Sequence, residues 1–141
     1  MKVFVTGVSG FVGRCMIRML CDRGDEVFAL ARSEQAARQV IQSGAKAVRG
    51  DLLDEQAMIR GMQDCSIVFH IAGFLSIWGK YKAFYETNVL GTECTLAAAQ
   101  VTNVPCFVQI GAAASVFDRQ SLSQIDESYP SFITLLKEYL E

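Results

Sequence analysis

Val3-Phe4-Val5-Thr6-Gly7-Val8-Ser9-Gly10-Phe11-Val12-Gly13 is the stretch on which the reading of this chain turns. Val3-Phe4-Val5 is apolar on both faces, which suits a strand covered on both sides in a parallel sheet and not one with a wet face. Glycines follow at positions 7, 10 and 13. Gly7 permits a tight exit from the strand, Gly10 lets backbone come close to a pyrophosphate, and Gly13 lets the next helix pack against the sheet. That helix then presents unpaired N–H groups and the positive end of its dipole to phosphate oxygens. Thr6, Gly7, Ser9, Gly10, Phe11, Val12 and Gly13 are therefore the residues expected around the phosphates of a dinucleotide. Glycines at this spacing carry weight only between a strand and a helix, and the flanking sequence supplies that context. A nucleoside-triphosphatase loop is excluded, because no Gly-Lys-Ser or Gly-Lys-Thr closes the turn.

Outward from this turn, short apolar runs alternate with segments of helical period, the pattern of a parallel α/β sheet. Phe11, Cys15 and Met19 recur every four residues, with Val12, Met16 and Leu20 beside them. That stripe is expected to pack on the sheet, and Gly24 to stop the helix. Val27–Leu30 reads as the second strand, and Ser33 as the cap of a helix over Glu34–Gln42. Ala45–Val48 is the third strand, Asp54 caps a helix reaching Gly61, and Ile67–Ile71 is the fourth strand. A long helix spans Tyr81–Val101, and Pro105 introduces a fifth strand at Phe107–Ile110. Right-handed crossovers arrange five such strands as a doubly wound parallel sheet in the order 3-2-1-4-5, a three-layer α/β/α sandwich.

An NAD site usually carries an acid at the end of the second strand, about 20 residues past the glycines, for the ribose hydroxyls. Ala31-Arg32 stands there instead. The arginine fork suits a 2′-phosphate, so NADP is the preferred cofactor and NAD the alternative.

Composition agrees with one ordinary globular domain: 141 residues, 51% hydrophobic and 20% charged. A net charge of −2 gives no basic face for nucleic acid or an anionic membrane. Cys15, Cys21, Cys65, Cys94 and Cys106 are odd in number and lack Cys-x-x-Cys spacing. They read as reduced, small core residues, with neither disulfide nor metal site expected. Met1-Lys2-Val3 leads straight into a strand and no apolar run approaches the roughly 18 residues of a membrane span. The expectation is a soluble cytoplasmic protein.

These residues resemble the extended short-chain dehydrogenase/reductase family, also called the NAD-dependent epimerase/dehydratases. Besides Thr6–Gly13, Gly50-Asp51-Leu52-Leu53-Asp54 resembles the family's adenine-contacting turn, with Asp51 near the adenine amino group and Leu52 beside it. His70-Ile71-Ala72-Gly73 is similar to its His-x-Ala-Gly segment, whose backbone at Ile71, Ala72 and Gly73 lies along the cofactor. Thr87-Asn88-Val89-Leu90-Gly91-Thr92 is similar to the segment in which Asn88 supports the active site. The match runs from Met1 to about Pro130, and the run from Gly73 to Tyr85 looks most like the dihydroflavonol-reductase and hydroxysteroid-dehydrogenase branch. The resemblance implies a Rossmann-type NAD(P)-binding domain. His70 and Asp51 each also have a purely structural reading, as a satisfied strand-end side chain and a turn former. Phe74 and Trp78 read either as lining of a substrate pocket or as loop anchors.

The family's chemistry needs a serine or threonine after the fifth strand and a Tyr-x-x-x-Lys further on. Here the serine register falls on Ala112 or Ala113, and Ser115 comes two or three positions late. None of Tyr81, Tyr85, Tyr129 and Tyr139 has a lysine four residues on. Ser115 is then one catalytic candidate, and Asn88, by the resemblance, the other. Residues 1–117 are expected to form the nucleotide-binding domain and 118–141 a divergent or truncated tail of loop plus short helix. Phe132, Leu135, Leu136 and Leu140 in that tail would cover the open edge of the fifth strand. Alternatively, the long helix near Phe84, Tyr85 and Val89 would make a dimer, as the resemblance suggests, so the chain is expected to be a monomer or homodimer. Three functions stay open at this point: the cofactor-binding part of a longer reductase or epimerase, a stand-alone NADP(H)-sensing or protein-binding module, and an enzyme that uses Ser115 or another donor with an unusual base.

Overall fold

The structure, a computed structural model, describes residues 1–76 and 78–112. Its strands are β1 (Lys2–Val5), β2 (Glu26–Ala31), β3 (Lys46–Arg49), β4 (Ile67–His70) and β5 (Phe107–Gln109). Its helices are α1 (Phe11–Asp22), α2 (Glu34–Gln42), α3 (Glu55–Met62), α4 (Tyr81–Tyr85) and α5 (Gly91–Val101), with a π-helical turn (Glu86–Leu90) joining the last two. All strand pairs are parallel and the order is β3-β2-β1-β4-β5, the topology expected from the sequence. The described part of the long helix is thus interrupted where continuous α-helix was expected.

Alternation along β1 divides the core between two layers. Val3 and Val5 pair in register with Val27 and Ala29 and join Ile17, Leu20 and Val40 on the α1–α2 side. Phe4 points the other way, to Leu30, Met58, Met62, Val68 and Ala98 on the α3–α5 side. Val3, Phe4 and Val5 have no solvent exposure, as befits the central strand of a doubly covered sheet. Burying each contributes roughly 1.5–3 kcal/mol. α3 comes close enough that a Cβ on Gly61 would overlap the Phe4 ring, a contact with no local signature in the sequence.

One expectation fails. α1 buries Gly13, Ile17 and Leu20, while Phe11 and Met19 are 76% and 69% exposed and Cys15 is also exposed. Both faces of this helix are apolar, and the glycine chooses between them. A Cβ on Gly13 would overlap the Gly7 carbonyl oxygen, so that residue must face inward, and Phe11, Cys15 and Met19 are carried outward. The cysteines depart from expectation in a similar way. All are free, but only Cys65 is buried, and burial pushes its thiol up to about 11.

Capping follows the sequence closely. Ser33 Oγ accepts from Ala36 N at 3.1 Å and an Asp54 carboxylate oxygen from Ala57 N at 2.9 Å. Gly24 ends α1 at φ +86°, a left-handed position that favours glycine. No helix of the described residues is long and apolar enough to cross a membrane.

Candidate functional site

In a parallel sheet the loops at the carboxyl ends of the strands gather on one edge, and a crevice opens where the strand order reverses. Here the reversal lies between β1 and β4. The turn after β1 and the segment after β4 meet there. Gly7, at φ +74°, lies so close that a Cβ would stand 2.6 Å from Ala72 N and 2.7 Å from the Ile71 carbonyl carbon. Gly13 is pressed on the same turn, against Gly7 and Val8 rather than against the strands themselves. Gly7 and Gly13 are therefore demanded by the protein's own packing.

Gly10 is different. Its backbone is extended at φ −79°, ψ 166°, and the nearest atom to an added Cβ is 3.4 Å away. Nothing among the described residues forbids a side chain there. Gly10 also caps α1 without any side-chain hydrogen bond, and the first turn of α1 carries no acid. By contrast α2 and α3 are each capped by a side chain and each has a glutamate in its first turn. Among the described residues, the amino end of α1 is thus left with its positive partial charge unanswered, beside exposed Ser9, Gly10, Phe11 and Val12.

Thr6 sits beneath the turn with no exposure, and its hydroxyl accepts from Ile71 N at 3.2 Å and Ala72 N at 3.3 Å. The same Oγ1 lies 2.9 Å from His70 Nδ1, and His70 Nε2 lies 3.1 Å from Thr92 Oγ1. His70 is fully buried, and burial holds its imidazole down at about 4 against an ordinary 6.5. The satisfied strand-end reading of this histidine describes its contacts. Thr92 was quoted in the sequence only as part of a longer match. What betrays its role is the four-residue spacing that brings its hydroxyl to the Asn88 carbonyl at 2.9 Å.

Asn88 lies in the π-helical turn and clasps one residue of the loop after β4. Its Oδ1 accepts from Phe74 N at 2.7 Å and its Nδ2 donates to Phe74 O at 3.1 Å. Gly73 is exposed beside this clasp. The Phe74 ring meets Phe84 edge-on at 4.8 Å, so Phe74 anchors the loop, whereas Trp78 is 86% exposed. Asn88→Ala removes both hydrogen bonds and is expected to cost about 1–2 kcal/mol locally. Faster amide exchange at Phe74 with unchanged exchange in β1 would show it; protection equal to the parent's would refute it.

Arg32 is exposed just past β2 and has no ion-pair partner among the described residues, while Ala31 is fully buried. Asp51 is exposed and accepts from Leu53 N at 2.9 Å, shaping the turn after β3. Leu52 lies partly buried against Gly91, whose Cβ would stand 3.1 Å from it. The structure therefore brings the β1 turn, Ile71, Ala72, Gly73 and Asn88 together, with Arg32 and Asp51 on the neighbouring loops of the same sheet edge. Tyr85 and Val89 are exposed on the helix. Ser115 and the tail, including Phe132, Leu135, Leu136 and Leu140, lie outside the described residues.

Residues 4–141 match the model of the 3-beta hydroxysteroid dehydrogenase/isomerase family. A ketoreductase of Stigmatella aurantiaca, acting on 4-hydroxy-2-methyl-3-oxo-4-farnesyl-3,4-dihydroquinoline-1-oxide by its name, is 40% identical over 92% of this chain and 39% of its own length. UDP-glucose 4-epimerase from Bifidobacterium longum, solved with NAD+ and UDP, superposes with a TM-score of 0.77 at 25% identity, over 93% of this chain and 42% of that one. A short-chain dehydrogenase/reductase superfamily protein from Agrobacterium tumefaciens, solved with bound NAD, gives a TM-score of 0.76 at 26% identity, over 93% of this chain and 39% of its own. The chain thus spans about two fifths of the length of the proteins it matches. On sequence and fold together, it belongs to the 3-beta hydroxysteroid dehydrogenase/isomerase family, within the extended short-chain dehydrogenases/reductases.

Proposed function

We propose that this chain is the amino-terminal dinucleotide-binding portion of a carbonyl reductase of its family, and that it binds NADP(H). Gly10 is the observation that carries the reading. Its missing side chain is unexplained by packing among the described residues, and it opens the uncapped end of α1 to an outside anion. The pyrophosphate of a dinucleotide fits that need, with N–H groups of Phe11 and Val12 as donors. Thr6, Gly7, Ser9 and Gly13 hold the turn in shape around it. The backbone at Ile71, Ala72 and Gly73 runs beside the cofactor, Asn88 steadies that segment, and Asp51 and Leu52 hold the adenine.

Buried Ala31 stands where an acid would meet the ribose hydroxyls, and exposed Arg32, without an ion-pair partner among the described residues, offers its fork for a 2′-phosphate. When bound, the nicotinamide supplies hydride to a carbonyl carbon. This chain's residues bind and orient it, while the proton relay of the family, Tyr-x-x-x-Lys, has no counterpart in the sequence. As it stands, the chain therefore holds cofactor without completing turnover. The reductase named among its relatives supports carbonyl reduction as the activity of the whole protein.

Calorimetric titration with NADPH and NADH tests the reading. NADPH is expected to bind the tighter, and Gly10→Val to raise its Kd at least about tenfold. Arg32→Ala is expected to weaken NADPH roughly tenfold and leave NADH nearly unchanged. If neither dinucleotide binds the parent chain, the reading is wrong.

A further inference from the structure

The hydrogen bonds around His70 have a direction, and it follows from counting protons. Thr6 Oγ1 has one proton and two lone pairs. Both lone pairs face amides, Ile71 N at 3.2 Å and Ala72 N at 3.3 Å, so the proton is donated to His70 Nδ1 at 2.9 Å. At the other side, Thr92 donates its hydroxyl proton to the Asn88 carbonyl at 2.9 Å. Its oxygen is left to accept from His70 Nε2 at 3.1 Å. The two ends independently require the same ring: unprotonated at Nδ1, protonated at Nε2.

We propose that His70, neutral and with its proton on Nε2, is a positioning residue that couples the glycine turn to the Asn88 clasp. Thr6 directly follows β1, His70 closes β4 and Thr92 lies in the first turn of α5, so three elements meet in one chain of donors and acceptors. That chain grips the segment Ile71–Phe74 at both ends. Thr6 holds its first two amides, and Asn88, whose carbonyl Thr92 holds, clasps Phe74. A doubly protonated ring, or the other tautomer, would set two donors against each other and release one end. The effect on ligand binding rests on the dinucleotide reading above, whereas the coupling itself does not.

The chain contains one histidine, so the imidazole nitrogens of the uniformly 15N-labelled 141-residue protein can be read without overlap. At pH 7.5 two separate signals are expected, Nδ1 in the unprotonated range and Nε2 in the protonated range. The reverse pattern, or one averaged signal, would overturn the proposal without any variant. Thr92→Val, which touches neither Thr6 nor the amides it holds, is expected to speed amide exchange at Ile71 and Ala72 roughly threefold to tenfold. Thr92→Ser is expected to restore it. Unchanged exchange in Thr92→Val would overturn the coupling. If the parent binds NADPH, Thr92→Val should weaken that binding by a similar factor. Absence of binding by the parent would instead sink the dinucleotide reading, and the exchange rates would still decide the coupling.

Discussion

Gly13→Ala is expected to lower the unfolding free energy by about 2–3 kcal/mol, whereas Gly10→Ala is expected to cost less than about 1 kcal/mol. Helix propensity argues the opposite way at position 13, since alanine in a helix is favoured over glycine by about 1 kcal/mol. The steric term outweighs it. A Cβ on Gly13 would overlap the Gly7 carbonyl oxygen and stand 3.0 Å from Val8 Cα, and backbone on both sides cannot turn away as a long side chain can. At Gly10 the nearest atom among the described residues is 3.4 Å off, an ordinary contact. Urea unfolding at constant m value would measure both. Equal midpoints for the parent and Gly13→Ala would disprove the close approach of α1 to its own turn. A Gly10→Ala variant as unstable as Gly13→Ala would remove the argument that Gly10 serves an outside ligand.

Acid should unfold this domain earlier than its carboxylates alone would. Folding lowers the His70 pKa from 6.5 to about 4, purely through burial. The native state therefore keeps the ring neutral while the unfolded chain takes up a proton below pH 6.5. Stability is complete above that value, falls by up to about 1.4 kcal/mol per unit between 6.5 and 4, and levels off below, for a total near 3 kcal/mol. The Asp25 and Glu26 carboxyls are held below their usual range, mainly by hydrogen bonds from the N-terminal ammonium and Lys46 respectively. Their contribution is lost at still lower pH, so the upper window belongs to the histidine. In His70→Asn the slope between pH 6.5 and 4 should flatten. A parent protein whose stability does not change over that interval would show that the ring is not buried neutral.

What could be read directly from the sequence was local. Strand and helix positions, the caps at Ser33 and Asp54, the stop at Gly24 and the strand–glycine–helix turn all depend on residues within a few positions of each other. The strand order followed as well, because right-handed crossovers leave few ways to wind five parallel strands. Three features needed distant parts of the chain. α1 has two apolar faces, and only the contact between Gly13 and the Gly7 backbone selects the inward one. The π-helical turn at Glu86–Leu90 has no period of its own in the sequence, and it carries the asparagine that clasps Phe74. The roles of Thr6, His70 and Thr92 emerge only when β1, β4 and α5 are brought together, 64 residues separating the first pair and 22 the second. Periodicity reports which residues prefer to be covered, but a glycine contact or a buried hydroxyl takes its meaning from the partner that the fold sets against it.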